Sequence, residues 1–303
     1  MTTTFTLAQF SDVHLSPLVG LDRRYLNVKR MMGALNWGRF RRFVHRRETA
    51  DILVSDAMSL NVDHIAITGD LINLGLPLEY EAALSWLTSI GTPERVTVIP
   101  GNHDVYAPLN GDAGVGRWAA YMGGEADSIA FPFVRRVGPL ALIGLNSAVE
   151  TPVFYASGRL GGDRISAAEA ILEKLGEEDV IRVVLIHHPP LPGLTAPRRA
   201  LTDAAHFQRA LEKSGAELVI YGHNHRARVD WLNGGEAKVP IVAAASASAA
   251  KTHHGDHLAS YNLFTFFSGA SGLRIRCAVR GISASASAVT TLSETFLTPP
   301  SDQ

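Results

Sequence analysis

The sequence predicts an α/β fold, and three observations carry that prediction. Short β-branched or apolar runs alternate with helix-like stretches over roughly the first two thirds of the chain. Chemically active polar residues gather just after those runs. From residue 239 onward, strand-like runs follow one another across short polar or Gly-containing turns, which adds an antiparallel finish. A mixed sheet or two packed sheets follows from that pattern.

Taken in order, residues 5–10, 64–68, 96–99, 140–145, 181–186 and 217–221 read as strands. Residues 49–60, 78–90, 166–175 and 202–213 show apolar residues at helical spacing. Ser166 and Thr202 are placed to cap the last two helices, and Glu169 completes a Ser-x-x-Glu capping pattern after Ser166. The late strands are 239–244, 261–267 and 273–279. Residues 283–288 alternate Ser and Ala, and the end is polar and Pro-rich. We therefore expect one domain over residues 1–282, with a poorly ordered tail over 283–303.

Composition narrows the function. With 46% hydrophobic and 19% charged residues among 303, the chain is an ordinary globular one and neither collagen, coiled coil nor disordered. A net charge of -1 and a pI near 6.9 argue against a dedicated nucleic-acid binder. The single cysteine, Cys277, excludes an intrachain disulfide and a Cys-based zinc cluster. No basic, apolar leader opens the chain, and no run of about 18 apolar residues occurs. The expectation is a soluble, cytoplasmic protein.

Charge is unevenly spread. Residues 20–47 hold nine of the 28 Lys and Arg but only one of the 29 acids, leaving 19 bases against 28 acids elsewhere. This basic segment also carries Tyr25, Trp37, Phe40 and Phe43.

The residues after the strands suit metal chemistry. Asp12 and His14 follow the first strand, spaced so that an extended segment would send both side chains to one side. Asp70 follows Gly69 after the second, and Gly101-Asn102-His103-Asp104 follows the third. His187-His188-Pro189-Pro190 and Gly222-His223-Asn224-His225 follow the fifth and sixth. In open α/β sheets, sites form outside the carboxyl ends of strands. Imidazole, carboxylate and carboxamide together match zinc, manganese or iron. Asp12, His14, Asp70, Asn102, His187, His223 and His225 are more ligands than one ion uses, and they fit two ions if one carboxylate bridges. Two such ions could clamp the attacking and leaving oxygens of a displacement at phosphorus.

These five blocks, in this order, resemble the calcineurin-like metallophosphoesterase superfamily. Within it the chain is most similar to bacterial class III cyclic nucleotide phosphodiesterases, through the run from Phe10 to Leu15, the Gly101 to Asp104 block, His187 to Pro190, and Tyr261 to Phe264. Ser/Thr protein phosphatases match less well, because their Asn-His block ends in Glu and continues into Cys-Arg. The resemblance implies a four-layer α/β/β/α sandwich with two mixed β-sheets flanked by helices. It implies that Asp12, His14 and His225 hold one metal, that Asn102, His187 and His223 hold the other, and that Asp70 bridges. The metals would be iron, manganese or zinc, with manganese expected to support activity. His103 would sit beside the phosphate, and a metal-bridging hydroxide would be the nucleophile. The implied activity is hydrolysis of a small-molecule phosphodiester, with nucleotide-type diesters such as 3',5'-cyclic nucleotides leading. A pyrophosphate or phospholipid-headgroup hydrolase acting at a membrane, and a non-catalytic scaffold on the same fold, are the alternatives. Relatives often pair, so a homodimer stays open.

Other residues keep more than one reading. His188 is substrate-side or structural. Asp104 orients His103 or caps the following turn. His253, His254 and His257 hold a third metal, border the site with one histidine touching substrate, or lie in a solvated loop. The 20–47 insertion either contacts an anionic membrane, or forms a lid gathering a phosphorylated substrate, or packs Val28, Met31, Met32, Leu35, Phe40, Phe43 and Val44 on the domain with its arginines wet.

Overall fold

Strand β1 (Thr3–Phe10) lies parallel to β2 (His64–Ile67), and β2 parallel to β3 (Val96–Val98). In this computed structural model, which describes residues 3–109, 111–123, 130–233, 238–252, 255–269, 272–283 and 286–298, the chain builds two six-stranded mixed sheets. The basic segment forms α1 (Val28–Asn36), a π-helical stretch (Trp37–Arg41) and the single turn α2 (Arg42–Val44). Helices α3 (Arg47–Ser59), α4 (Pro77–Ile90) and α5 (Ala119–Met122) come next, with β2 and β3 between them. The second half adds β4 (Phe133–Val137), β5 (Leu140–Gly144), α6 (Gly162–Gly176), β6 (Ile181–Leu185), α7 (Ala204–Ser214) and β7 (Leu218–Tyr221). It closes with β8 (Arg228–Asn233), β9 (Lys238–Ala243), β10 (Ser260–Ser268), β11 (Arg274–Ser283) and β12 (Ala286–Phe296). The sheet orders are β12-β11-β10-β1-β2-β3 and β4-β5-β6-β7-β9-β8.

Side-chain alternation explains the layering. On the second sheet, Leu140, Leu142, Val183, Leu185, Leu218 and Ile220 pack with Leu7, Phe264 and Phe266 of the first sheet. Their neighbours Ala141, Ile143, Val184 and Val219 pack instead with Leu172 of α6 and with Phe207 and Leu211 of α7. Helices α3 and α4 join the outer side of the first sheet through Leu53 and Leu87, and Trp86 Nε1 donates to Asp51 across the pair at 2.8 Å. The result is the expected four-layer sandwich. Strands β5, β6 and β7 are covered on both faces, which is why they read as unbroken apolar runs.

Several expectations at the margins change. The stretch expected to be a loose tail contains β12, which pairs antiparallel with β11. Its Ser, Thr and Ala residues hide it, because a mostly exposed edge strand needs no apolar run; residues 284–285 and 299–303 lie outside the described residues. Edge strands β4 and β8 escape the sequence pattern for the same reason. The helix caps also differ. Gly161, not Ser166, precedes α6, so Ser166 and Glu169 lie inside that helix. Asp203, not Thr202, precedes α7; its carboxylate accepts from the backbone of Leu160 and Gly161, while Thr202 Oγ1 donates to the Gly158 carbonyl.

Candidate metal centre

All the expected ligands sit beyond the carboxyl ends of parallel strands β1, β2, β3, β6 and β7. The chain reaches this arrangement by leaving the extended conformation. Asp12, His14, Asp70, His223 and His225 have φ between 43° and 70°, five of the seven non-glycine residues with positive φ among the described residues. For an L-residue this left-handed region costs roughly 1–2 kcal/mol, so five such positions at one site mark a backbone held there by its neighbours. The expected reason for Asp12 and His14 to share a side, an extended segment, is therefore corrected: both residues are left-handed. Backbone bonds fix them, with Asp12 N donating to Gly69 O at 2.9 Å and His14 N to Asp70 O at 3.0 Å. Gly69 is needed where it stands: at φ +93° an added Cβ would come within 2.6 Å of both Gly101 N and His187 Nδ1.

The side chains meet in two groups. His225 Nε2 lies 3.2 Å from Asp12 Oδ1, and His14 Nε2 lies 3.4 Å from His225 Nε2. His187 Nε2 lies 3.4 Å from Asp70 Oδ2 and 3.2 Å from both Asn102 Oδ1 and His223 Nδ1. The groups touch through Asp70, whose Oδ2 is 4.0 Å from His14 Nε2. Ligand atoms of Asp12, His14 and His225, and of Asp70, His187 and His223, each fall within 4.8 Å of one another.

Tautomers follow from the outer partners. The Nδ1 atoms of His14, His187 and His225 face the Ile72 carbonyl (3.2 Å), the Thr68 carbonyl (2.7 Å) and the Asp256 carboxylate (3.2 Å). Each Nδ1–H donates outward, so each Nε2 is the ring atom that faces the centre, where a cation would replace its proton. Imidazole nitrogens, carboxylates and the Asn102 carbonyl thus converge on each other, His223 through its Nδ1, and Asp12 Oδ1 is buried without a hydrogen-bond partner. Converging acceptors with outward-anchored imidazoles are the arrangement that a cation satisfies, and the donor set fits manganese, iron or zinc. Burial lowers the pKa of His187, but the Asp70 carboxylate beside it reverses that and raises it to about 9. His225 reaches about 9 by the same balance against Asp12 and Asp256. Burial opposes the charge of Asp70, yet His187 and His103 hold its carboxyl well below the usual range.

The neighbouring residues resolve into roles. Asp104 accepts from the backbone of Asp70 (2.8 Å), Gly101 (2.8 Å) and Ile72 (3.2 Å), so it ties the β2 and β3 loops together and does not touch the His103 ring. Burial and the Asp70 charge push it up to about 8. His103 Nδ1 donates to Asn73 O at 2.5 Å, which leaves Nε2 facing Arg41 Nη1 at 3.2 Å. Burial and Arg41 lower His103 to about 4. His188 is structural, held between Ser147 Oγ and the Ala156 carbonyl. His257 Nδ1 accepts from Ala227 N, and its backbone donates to His225 O. His253 and His254 lie outside the described residues.

A cavity of about 620 Å³ opens onto the cluster. Besides the expected residues it is lined by Arg41, His45 and Arg199. Sequence reading placed Arg41 only within a basic stretch and passed over His45. His45 is buried, with Nδ1 2.8 Å from Ser248 Oγ and its ring 4.6 Å from that of His14. Neither carries a motif; only the position of the insertion, directly after the Asp12 and His14 loop, hints at them.

A two-sheet sandwich with such a cluster at its parallel strand ends has the build of a metallophosphoesterase. The calcineurin-like phosphoesterase family pattern matches residues 5–227, and the chain belongs to that family. The chain is 29% identical over 168 residues to a probable cyclic nucleotide phosphodiesterase of Synechococcus sp., across 54% of this chain and 58% of that protein. It is 28% identical over 173 residues to a glycerophosphodiester phosphodiesterase of Enterobacter lignolyticus, across 54% and 56%. The chain thus spans little more than half the length of these curated relatives. In fold it is similar to a dimetal phosphatase from Danio rerio, with a TM-score of 0.62 at 13% identity over 97% of this chain and 98% of that one.

Proposed function

We propose that the chain hydrolyses phosphodiesters with two divalent cations. Asp12, His14 and His225 would hold one, Asn102, His187 and His223 the other, and Asp70 both. The observation that carries this is the convergence of these acceptors, with Asp12 Oδ1 among them buried and unpartnered. Bound there, such ions would supply Lewis acidity at the phosphoryl oxygens and make water a stronger acid. The chain's own residues do the rest. The left-handed loops and the Asp104 bonds hold the ligands fixed, so little reorganisation accompanies reaction. His103, anchored through Nδ1 and facing Arg41 Nη1 through Nε2, is assigned to the departing oxygen. Its neighbourhood is cationic through Arg41, and an anionic substrate between the two favours the protonated ring that can donate.

A nucleotide-type diester, such as a 3',5'-cyclic nucleotide, is the preferred substrate. Support comes from the names of the two curated relatives, both phosphodiesterases, and from a cavity within the size range of small-molecule sites. A scaffold would have no use for seven converging ligands and His103. We assign the activity to one domain that extends through β12, acting in the cytoplasm; among the described residues no helix is long and apolar enough to cross a membrane. The test is hydrolysis of bis-p-nitrophenyl phosphate against p-nitrophenyl phosphate by Mn²⁺-loaded protein. A diester preference that disappears in Asn102→Ala is expected. A monoester preference, or activity indifferent to Asn102→Ala, contradicts the reading.

One observation favours a second reading, a lipid-linked substrate met at an anionic membrane surface. Of the residues expected to pack on the domain only Val44 is buried; Val28, Met31, Met32, Leu35, Phe40 and Phe43 are exposed, Val28 by 67% and Leu35 by 57%. Arg39, Arg42 and Arg46 are exposed among them. Apolar residues with basic neighbours are what such a surface binds.

A further inference from the structure

Two arginines of the insertion turn inward, and their donors meet opposite fates. Arg30 is buried and fully used: Nε donates to Leu74 O, Nη1 to Tyr25 O and Pro108 O, and Nη2 to Gly75 O and Ala107 O, all at 3.0–3.1 Å. It is a rivet. Arg41 is different. Its Nη1 faces His103 Nε2, while Nε and Nη2 are buried with no hydrogen-bond partner. Arg41 lines the cavity that also holds Asp70, Asn102, His223 and His225.

A guanidinium keeps its charge in a protein, and burying its N–H groups unpaired is costly. Nε and Nη2 are one edge of the guanidinium fork, spaced to meet two oxygens of a phosphoryl group or a carboxylate side by side. Asp12, Asp70 and Asp256 are each engaged with the histidines, and none is hydrogen-bonded to these Arg41 donors. The π-helical stretch that ends at Arg41 fits the same picture: a widened turn is a common local device for aiming a side chain into a site.

We propose that Arg41 is a catalytic residue, whose Nε and Nη2 grip the non-bridging oxygens of the scissile phosphoryl group. The inference rests on the phosphodiesterase reading and deepens it. During hydrolysis the bond from water oxygen to phosphorus forms, the ester bond breaks, and a proton ends on the departing oxygen; Arg41 exchanges no proton and no bond. Its contribution is to charge on the non-bridging oxygens, where a preorganised cation acts on the transition state. The insertion then belongs to the active site and is not only a lid over it.

The test compares wild type, Arg41→Gln, Arg41→Lys and the exposed control Arg39→Gln, each loaded with Mn²⁺. Inorganic phosphate is titrated calorimetrically, and bis-p-nitrophenyl phosphate turnover is measured on the same samples. Arg41→Gln is expected to weaken phosphate binding about tenfold or more and to lower kcat/KM by on the order of 10²-fold. Arg41→Lys should recover part of the phosphate affinity but little of kcat, and Arg39→Gln should match wild type in both. Unchanged phosphate affinity in Arg41→Gln overturns the proposal. So does a loss of turnover that vanishes when His103→Ala is already present, since Arg41 would then act only by positioning His103. Thermal melting and manganese content confirm that each variant is folded and loaded; if Arg41→Gln fails there, Arg41→Lys against wild type decides. Should no ester be hydrolysed at all, the hydrolase reading fails while the phosphate titration still decides Arg41.

Discussion

The strand-end loops and the 20–47 insertion border the same cavity but are built on opposite logic. In the loops, acceptors point inward and donors are tied to the scaffold: His14, His187 and His225 give their Nδ1–H groups away and keep Nε2 for the centre. In the insertion, donors point inward. Arg30, Gly33 and Arg41 face the protein, and the stripe Val28, Met31, Met32 and Leu35 faces out. This inverts the usual amphipathic helix. The reason is the surface beneath it, which offers carbonyls of Leu74, Gly75, Ala107 and Pro108 and asks for cations, not hydrocarbon. A cavity walled by acceptors on one side and by a guanidinium on the other suits an anion held by cations from both directions.

That contrast can be broken at its anchor. Arg30→Ala leaves three buried and two part-buried carbonyls without their donor and should cost about 3 kcal/mol or more of folding stability. Chemical denaturation reads this directly. Arg39→Ala, on the exposed side, should change stability by less than about 0.5 kcal/mol. Equal, small effects from both would mean that the insertion is not riveted as described. The outward face gives the smaller effect. If it meets anionic lipid, replacing Arg39, Arg42 and Arg46 together by Glu should clearly weaken co-sedimentation with vesicles of phosphatidylserine and phosphatidylcholine, at about 1 kcal/mol per lost arginine. Equal partitioning of wild type and variant sinks the lipid reading and leaves the soluble diester.

How much of this could be read from the sequence differs between the same two regions. The loops were legible because the ligands follow apolar strands such as β6 or β7, and Asp70, Asn102 and His223 each directly follow a glycine whose added Cβ would clash with the site. What stayed hidden was their conformation: left-handed backbone at Asp12 and His14 puts the side chains where an extended segment was expected to put them. The insertion was legible only as basic and helical. A helix period shows which residues share a face, not which face the protein buries. Here the apolar stripe invited the wrong choice, and Arg30 and Arg41, adjacent to many similar arginines, carried no signal of their own. Strand β12 was hidden for a simpler reason, because an edge strand rich in Ser and Thr looks like a tail.

The central claim is that seven converging side chains hold two divalent cations. It is tested most directly by counting bound manganese in dialysed wild type, His14→Ala and Asn102→Ala by inductively coupled plasma mass spectrometry. Two ions per chain in wild type, falling to about one in each variant, is the predicted result. One ion or none in wild type, or two in both variants, would contradict the account.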